Sequence, residues 1–508
     1  MNFLDKLLDY YNISLKEYNE LKADASLANV PSFNVFENMD IVKDKILEAI
    51  KNKRKILIYG DYDADGILAT SILVQTFKKL KYEVDYYVPS RYLDGYGITA
   101  EKVIKAKEKG YDLIITVDNG VVAYEAIKKA KEIGIDMIIT DHHEYEKEIT
   151  EFLYLHPKKS KLKCTTSGAM VAFYLSTALL YEIDPYLLTL GATSILSDVM
   201  PLIKENRDVV KLAIKYLNKY KFDKFNLLSD TFSYDETTLA LKVIPKINAV
   251  GRIETKKEVN LLVKYFTSDS YQELVKIREY LNNVNERRKS LTLEITDNLK
   301  ITETDAVVLK LDILSGLSGL IANRILSNNN LPVCIFSSEV IDGNIRGSIR
   351  SRNGFDVIKF INLNKNLFME YGGHELAAGV VIKESNFNEF KDAFIKYAQT
   401  NKFIPDPDNI LIGEDEINQN NYDIIRSFAP FGNQWREPTF LLKDMQVSRI
   451  EKVGNLNQHL SILLNNKNKV IGFNFPFHTL TNSSVDLIGK IKLNKYKNNV
   501  TANFLLSN

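Results

Sequence analysis

The chain has 508 residues and carries 66 Lys and Arg against 65 Asp and Glu, for a net charge of +1, with two cysteines. That length predicts two or three domains, each able to bury its own core. The balanced charge excludes a polycation gripping nucleic acid over its whole surface, which leaves local patches; the isolated Cys164 and Cys334 exclude a disulfide framework and a thiolate zinc site.

The N-terminal stretch, MNFLDKLLDYYNISLKEYNE, mixes acidic with apolar residues, unlike a signal peptide. No segment offers the ~20 apolar residues of a membrane-spanning helix. A soluble, monomeric protein of the reducing cytoplasm, without a membrane partner, is the expectation. Residues 1–50 read as an N-terminal helical segment. Between Lys55 and His143, short β-rich apolar runs alternate with longer amphipathic ones, which predicts an α/β domain with a doubly wound parallel sheet. Strands are predicted at 55–59, 83–88, 112–117 and 136–140, and helices from about 68–80, 100–109 and 123–133. Residues 167–220 read as mainly helical, interrupted at 196–201. The first domain is placed at 51–265.

A polar stretch near 270–299 without Gly or Pro predicts one long connecting helix, assigned to 266–300. A second α/β domain follows at 301–402, with strands at 306–311 and 333–336, a helix through 320–326, and the Gly-rich elements G-S-I-R-S and Y-G-G-H-E-L-A-A-G. The Pro-punctuated segment from Phe403 to Pro407 marks the next boundary. Short alternating runs at 440–442, 459–464 and 470–475 predict a small β domain over 403–508. From Lys443 to the end there are 9 Lys and Arg against 3 Asp and Glu, a local +6; a solvated surface explains that charge as readily as a nucleic-acid face.

The chemistry gathers where strands end, and ligands of doubly wound sheets sit beyond carboxyl ends of strands. Asp61-Tyr62-Asp63-Ala64-Asp65 puts three carboxylates at alternate positions after the first strand, which is costly unless a cation neutralises them. The plainer account, equally weighted for this motif alone, is a helix N-cap with Asp65 serving the backbone. Asp118 ends the third strand, where an ordinary D-N-G turn is the competing account. Asp141-His142-His143 ends the fourth, and paired histidines beside an aspartate suit a transition metal better than two structural imidazoles. Mixed carboxylate and imidazole donors without thiols point to Mn²⁺ or Mg²⁺, as a pair roughly 3.5–4 Å apart that would activate water against a phosphate. A carboxylate such as Asp118 would bridge that pair. Asp198, before Met200-Pro201, is by itself a cap or turn residue.

The set G-D-Y-D-A-D-G, V-D-N-G, T-D-H-H, L-S-D-V-M-P-L and G-G-H-E-L-A-A-G, in this order, resembles the DHH phosphoesterase superfamily with its associated C-terminal domain. Within it, the likeness is to the single-strand-specific exonuclease branch. R-Y-L-D-G-Y-G at 91–97, I-N-A-V-G-R at 247–252, N-E-R-R at 285–288, R-G-S-I-R-S at 346–351 and P-F-G with E-P-T-F between Pro430 and Phe440 extend it from about Lys55 to the C-terminus. The resemblance implies that Asp63, Asp65, Asp118, His142 and Asp198 hold the metals. It also implies that His143 contacts the scissile phosphate and that Asp61 supports the cluster or binds metal. Arg91, Arg252, Ser348 and Arg350 would receive a 5′-phosphate, since guanidinium forks match phosphate oxygens. Singly, each arginine is an ordinary surface ion-pair partner. Tyr96 would stack on a base, worth ~1–3 kcal/mol, where the plainer account is a half-buried ring in a Gly-flanked turn. His374 would touch the substrate backbone, where the plainer account is a turn histidine.

Three departures stand out. Tyr59 occupies a position where some relatives place a metal-binding histidine. Ile313-Leu314 stands where that branch has a Trp-His pair, and Asn433-Gln434-Trp435 replaces a Gly-Asn-Pro run. The last domain is similar in position to the branch's OB-fold, a barrel suited to single strands. The resemblance implies 5′-to-3′ degradation of single-stranded DNA to 5′-mononucleotides, in repair or recombination, alongside a helicase and a single-strand-binding protein. The alternatives are a DHH phosphodiesterase of oligonucleotides or small nucleotides, against which residues 405–508 argue, and a catalytically inactive single-strand-binding scaffold. The retained, mutually repelling carboxylates argue against the scaffold.

Overall fold

Near-continuous runs of β-branched and aliphatic residues give strands buried on both faces, as a sheet with helices on either side requires. The computed structural model describes residues 1–254, 258–404, 409–454, 459–464, 468–472, 484–496 and 499–506. Residues 405–407 of the expected second boundary and 473–475 of the last expected run lie outside these. The chain forms two compact units. One comprises residues 25–295 with 432–435, the other residues 1–24, 296–431 and 436–508.

The first unit is built on strands β1 (Ile56–Tyr59), β2 (Asp85–Tyr87), β3 (Leu113–Val117), β4 (Asp136–Thr140) and β5 (Leu153–Leu155), all parallel in the order β2-β1-β3-β4-β5. The order reverses between β1 and β3, and such a switch point opens a crevice at the strands' carboxyl ends. Leu57, Tyr59, Ile114, Met137 and Ile139 pack on one face with Val103 and Ala106 of helix Ala100–Glu108 and Ala126, Ile127 and Ala130 of helix Tyr124–Ile133. The intervening Ile56, Ile58, Ile115 and Ile138 are also buried. Helix Ala64–Lys79 packs against β1, β3 and helices Gly168–Leu180 and Pro185–Ser197. β5 was not among the predicted strands.

The 270–299 stretch forms one 28-residue helix, Tyr271–Asn298. In the second unit, β6 (Val307–Leu311), β7 (Val333–Ile341), β8 (Asn344–Arg350), β9 (Phe368–His374) and β10 (Ala377–Lys383) form a mixed sheet in the order β6-β7-β8-β10-β9. Ile345, Ile349, Val380 and Ile382 pack against Phe360, Phe390 and Phe394 of helices Val357–Leu363 and Phe387–Thr400. The period of two then turns Arg346, Ser348 and Arg350 to the opposite face.

The last strands are β11 (Ile410–Leu411), β12 (Phe440–Val453), β13 (His459–Leu464), β14 (Lys469–Gly472), β15 (Ser484–Tyr496) and β16 (Asn499–Leu506). Five of them close in the order β12-β13-β14-β16-β15, with β15 returning to pair with β12. The result is the expected OB-like barrel, with β11 as an added edge. Helices Phe3–Tyr11 and Leu15–Lys22 belong to this unit: Phe3 stacks on Phe440 at 5.7 Å, and the Tyr11 and Tyr18 rings lie 5.0 and 4.8 Å from Phe428.

Candidate metal centre and phosphate cleft

After β1 the chain must turn back onto its own helix, and two glycines permit it. A Cβ on Gly60 would lie 2.1 Å from the Thr70 hydroxyl, and one on Gly66 2.6 Å from the Asp61 backbone. Asp63, not Asp65, caps helix Ala64–Lys79, accepting from the Gly66 N–H at 3.2 Å. Asp65 lies inside the first turn, 1% exposed. Its two oxygens accept from Gly168 N–H and Ala169 N–H, each at 2.7 Å, at the N-terminus of helix Gly168–Leu180, where the dipole favours a negative charge.

Asp118 adopts a left-handed backbone, φ 60°. Beside it, the Asn119 amide donates to the Tyr59, Gly60 and Val117 carbonyls at 3.2, 3.1 and 2.9 Å, which locks the ends of β1 and β3 together. His142 Nε2 lies 3.1 Å from Asp118 Oδ1 and 3.5 Å from both Asp65 Oδ2 and Asp198 Oδ2. Asp198 is the C-cap of helix Pro185–Ser197. The following loop is fixed by the segment that departs from the family pattern: Asn433 donates to Val199 O and accepts from Leu202 N–H, both at 2.8 Å, and Arg207 lies over the Trp435 ring.

Three overlapping sets result, Asp61/Asp63/Asp118, Asp65/His142/Asp198 and Asp118/His142/His143. In each, the donor atoms lie within 4.8 Å of one another. Both Asp118 carboxylate oxygens and Asp61 Oδ1 are buried without a hydrogen-bond partner. An orphaned buried acceptor costs ~1–3 kcal/mol, and more when charged, so these oxygens fit a divalent cation. Burial, with Asp63 beside it, pushes the Asp61 carboxyl up to about 8. Burial and Asp65 push Asp198 to about 8. Asp65 rises only to about 6, because the Ala169 and Gly168 amides and the Ser194 hydroxyl oppose burial and Asp63. Asp118 is raised well above the carboxylate range by burial and then by Asp65.

His143 stands apart, with its side chain 39% exposed. Its Nδ1 is 2.7 Å from Asp141 Oδ1, and its Nε2 is 3.1 Å from the Tyr96 hydroxyl. The Tyr96 and His143 rings meet edge to face at 5.6 Å. Although burial opposes it, hydrogen bonding to Asp141 raises His143 to about 9. Asp141 is fully buried and also accepts from His142 N–H at 2.7 Å, His143 N–H at 3.1 Å and Val121 N–H at 3.0 Å. Asp141 therefore shapes the turn rather than facing the cluster. Tyr59 turns its hydroxyl to the Gly97 carbonyl at 3.2 Å and supplies no donor to the cluster.

Beside the carboxylates a cleft of about 190 Å³ is lined by Tyr62, Asp63, Arg91, Asp198, Asn248 and Arg252. The Arg91 guanidinium lies 4.2 Å over the Tyr62 ring, and its Nε donates to Gly251 O at 3.2 Å. Asn248 Oδ1 accepts from Ala64 N–H at 3.0 Å, pinning the aspartate loop to helix Ile244–Ile253.

In the other unit, Ser348 and Arg350 occupy alternate positions on β8. The Ser348 hydroxyl lies 2.8 Å from that of Ser318, at the start of helix Ser318–Asn329, and a Cβ on Gly319 would come within 2.6 Å of the Arg350 guanidinium. His374 pairs with Ala377, which pairs in turn with Arg350. At the Ile313-Leu314 departure, the Ile313 carbonyl accepts from Ser337 at 2.6 Å.

The sequence reading brought together the carboxylates and both histidines, but it passed over Asp141, Asn119 and Asn248 as positioning side chains. The T-D-H-H and V-D-N-G strings contained the first two. Asn248 carried a signal only through its motif.

Family models match in three places: "DHH family, N-terminal domain" at residues 55–195, "DHHA1 domain" at 303–400 and "RecJ OB domain" at 410–508. The chain is 30% identical over 492 residues to the single-stranded-DNA-specific exonuclease RecJ of Bacillus subtilis, covering 91% of this chain and 62% of that protein's length. It is 26% identical over 545 residues to the RecJ of Haemophilus influenzae, covering 96% and 93%. The crystal structure of Thermus thermophilus RecJ in complex with Mn²⁺ superposes with a TM-score of 0.82 at 24% identity, covering 100% of this chain and 75% of that one; this likeness concerns the fold.

Proposed function

Because three stretches of the chain match the models of the DHH family N-terminal domain, the DHHA1 domain and the RecJ OB domain, we propose that it is a metal-dependent exonuclease that degrades single-stranded DNA from the 5′ end to 5′-mononucleotides. The observation that carries this reading is the meeting of Asp61, Asp63, Asp65, Asp118, His142 and Asp198 around buried carboxylate oxygens that no protein donor satisfies.

In this reading Asp61, Asp63 and Asp118, together with Asp65, His142 and Asp198, would hold the divalent cations. When bound, Mn²⁺ or Mg²⁺ acidifies a water and polarises the phosphate. The chain's own residues do the rest. His143, kept protonated by Asp141, offers its Nε2–H to the scissile phosphate in exchange for the Tyr96 hydroxyl. Tyr96 then presents its exposed ring to a base. Arg91 and Arg252 grip phosphate in the adjoining cleft. Ser348, Arg350 and His374 bind the strand from the second sheet, and the barrel retains longer single strands. The names of the relatives support the substrate class.

The test is incubation of the purified full chain with Mn²⁺ or Mg²⁺ and single-stranded DNA labelled at either end, beside Asp118→Ala. Ordered loss from the 5′ end by the wild type and no cutting by the variant is the expected result. Undiminished cutting by Asp118→Ala would overturn the site. A preference for dinucleotides would favour a small-nucleotide phosphodiesterase, and binding without cutting an inactive scaffold.

A further inference from the structure

His156 is 1% exposed at the end of β5, where it caps the short turn Pro157–Lys159. Its two ring nitrogens have fixed and opposite duties. Nδ1 lies 3.1 Å from the Lys158 N–H, a group that can only donate, so Nδ1 accepts and carries no proton. Nε2 lies 2.9 Å from the His143 carbonyl, which can only accept, so the proton sits on Nε2. The imidazole is thus neutral and held in one tautomer. The Tyr145 ring meets it edge to face at 4.9 Å. The turn it caps is itself anchored: Glu37 N–H donates to Lys159 O and Lys161 N–H to Val35 O, both at 2.8 Å.

We propose that His156 is a positioning residue for His143. It fixes the backbone of the half-buried His143 so that its side chain addresses the phosphate. Four hydrogen bonds then define His143: Asp141 at Nδ1 and at the main-chain N–H, Tyr96 at Nε2 and His156 at the main-chain carbonyl. Asp141 and Tyr96 set the ring's orientation. Neither restrains the carbonyl side of the residue, where the chain leaves β4 for an exposed loop. Without the Nε2–H donor that carbonyl must find water, and the His143 backbone is held only at its N–H, by Asp141, so its carbonyl side can shift. A displacement of about 1 Å at such a residue is enough to cost ~10²-fold in rate. The inference rests on the assignment of His143 to the phosphate contact, and its effect belongs on turnover rather than on strand binding.

The two nitrogens can be separated by substitution. His156→Gln extends an amide N–H to the reach of Nε2 and gives up the acceptor for Lys158. His156→Asn places an acceptor where Nδ1 stood and falls short of the His143 carbonyl. Both are compared with wild type for kcat and KM on a 5′-phosphorylated single strand, with thermal unfolding as the check on folding. The expected result is a kcat within ~3-fold of wild type for His156→Gln and ~10–100-fold lower for His156→Asn, the range typical of residues that orient a reactive group, with KM unchanged in both. A reversed order, equal losses, no loss, or a change confined to KM would overturn the proposal. A second readout does not depend on activity. With ¹⁵N-labelled histidine, the chain's six imidazoles are resolved by tautomer. His156 should show the Nε2–H form, and the His143 signals should move in His156→Asn but not in His156→Gln. A wild type that cuts no DNA would overturn the functional reading, whereas an Nδ1–H or charged His156 would overturn this one.

Discussion

At Asp118 the fold takes a carboxylate out of water, sets it on left-handed backbone and leaves neither oxygen a donor. Asp118 draws notice in the sequence because carboxylates at successive strand ends of one sheet are hard to explain singly. The sequence alone misassigns the neighbouring cap, since D-x-D-x-D does not say which aspartate turns back onto the helix; Asp63 does. The raised carboxyls make metal and protons interchangeable. Asp61 and Asp198 titrate near 8 in the fold against about 4 in an unfolded chain. The metal-free fold therefore binds protons that the unfolded chain has released. Their stabilisation is complete below about pH 4 and is lost as pH rises through about 8. In metal-free protein, the unfolding temperature should fall between pH 6 and pH 8. Mn²⁺ should raise it more at pH 8, because the cation replaces those protons. Asp118→Asn should raise the metal-free unfolding temperature while abolishing the response to Mn²⁺. Thermal scans in chelator and in Mn²⁺ decide this; a metal-free midpoint that climbs with pH would contradict it.

Among elements, the sheet of the second unit carries a feature that its packing does not require. Gly379 of β10 lies opposite Ser348 on β8 and Gly372 on β9. A Cβ on Gly372 would meet nothing within 4 Å, and one on Gly379 only the Gly372 carbonyl at 4.0 Å. Glycine inside a strand costs ~0.5–1 kcal/mol relative to alanine and often marks the close approach of a ligand. Gly379→Ala should therefore leave the unfolding temperature unchanged or raise it, yet weaken binding of a single strand beside Ser348, Arg350 and His374. A lowered unfolding temperature with unaltered affinity would make the glycine structural instead. At this scale most of the fold was legible. Strands β1 to β4 and helix Tyr271–Asn298 announce themselves by period and by the absence of breakers. β5 did not, since Leu153–Leu155 has no β-branched residue and no flanking valines like Val84 and Val88 around β2, and it gains its identity only by pairing with β4. The docking of the N-terminal helices on Phe428 and Phe440 was equally invisible, because amphipathic helices name the need for a partner and not the partner itself.

For the whole molecule, the net charge of +1 conceals a division: residues from Lys443 onward carry +6, so residues 1–442 carry −5. Part of that surplus is already spoken for, since Lys490 and Lys492 sit 3.0 and 2.6 Å from Glu437. The carboxylate cluster would repel a phosphodiester chain without bound cations, so a strand long enough to reach the basic barrel gains an attraction that a short one lacks. Counterion release makes this measurable. Each phosphate neutralised on a single strand contributes a slope of about −0.7 to log K against log salt, so a strand of about 30 nucleotides should show a steeper dependence than one of about 4. Both are to be titrated onto the non-cutting Asp118→Ala chain in Mn²⁺. Replacing Lys443 and Lys469 with glutamine should then flatten the slope for the long strand alone. Equal slopes for the two lengths would mean that the barrel's charge is a solvated surface and that the grip on DNA lies wholly in the two α/β domains.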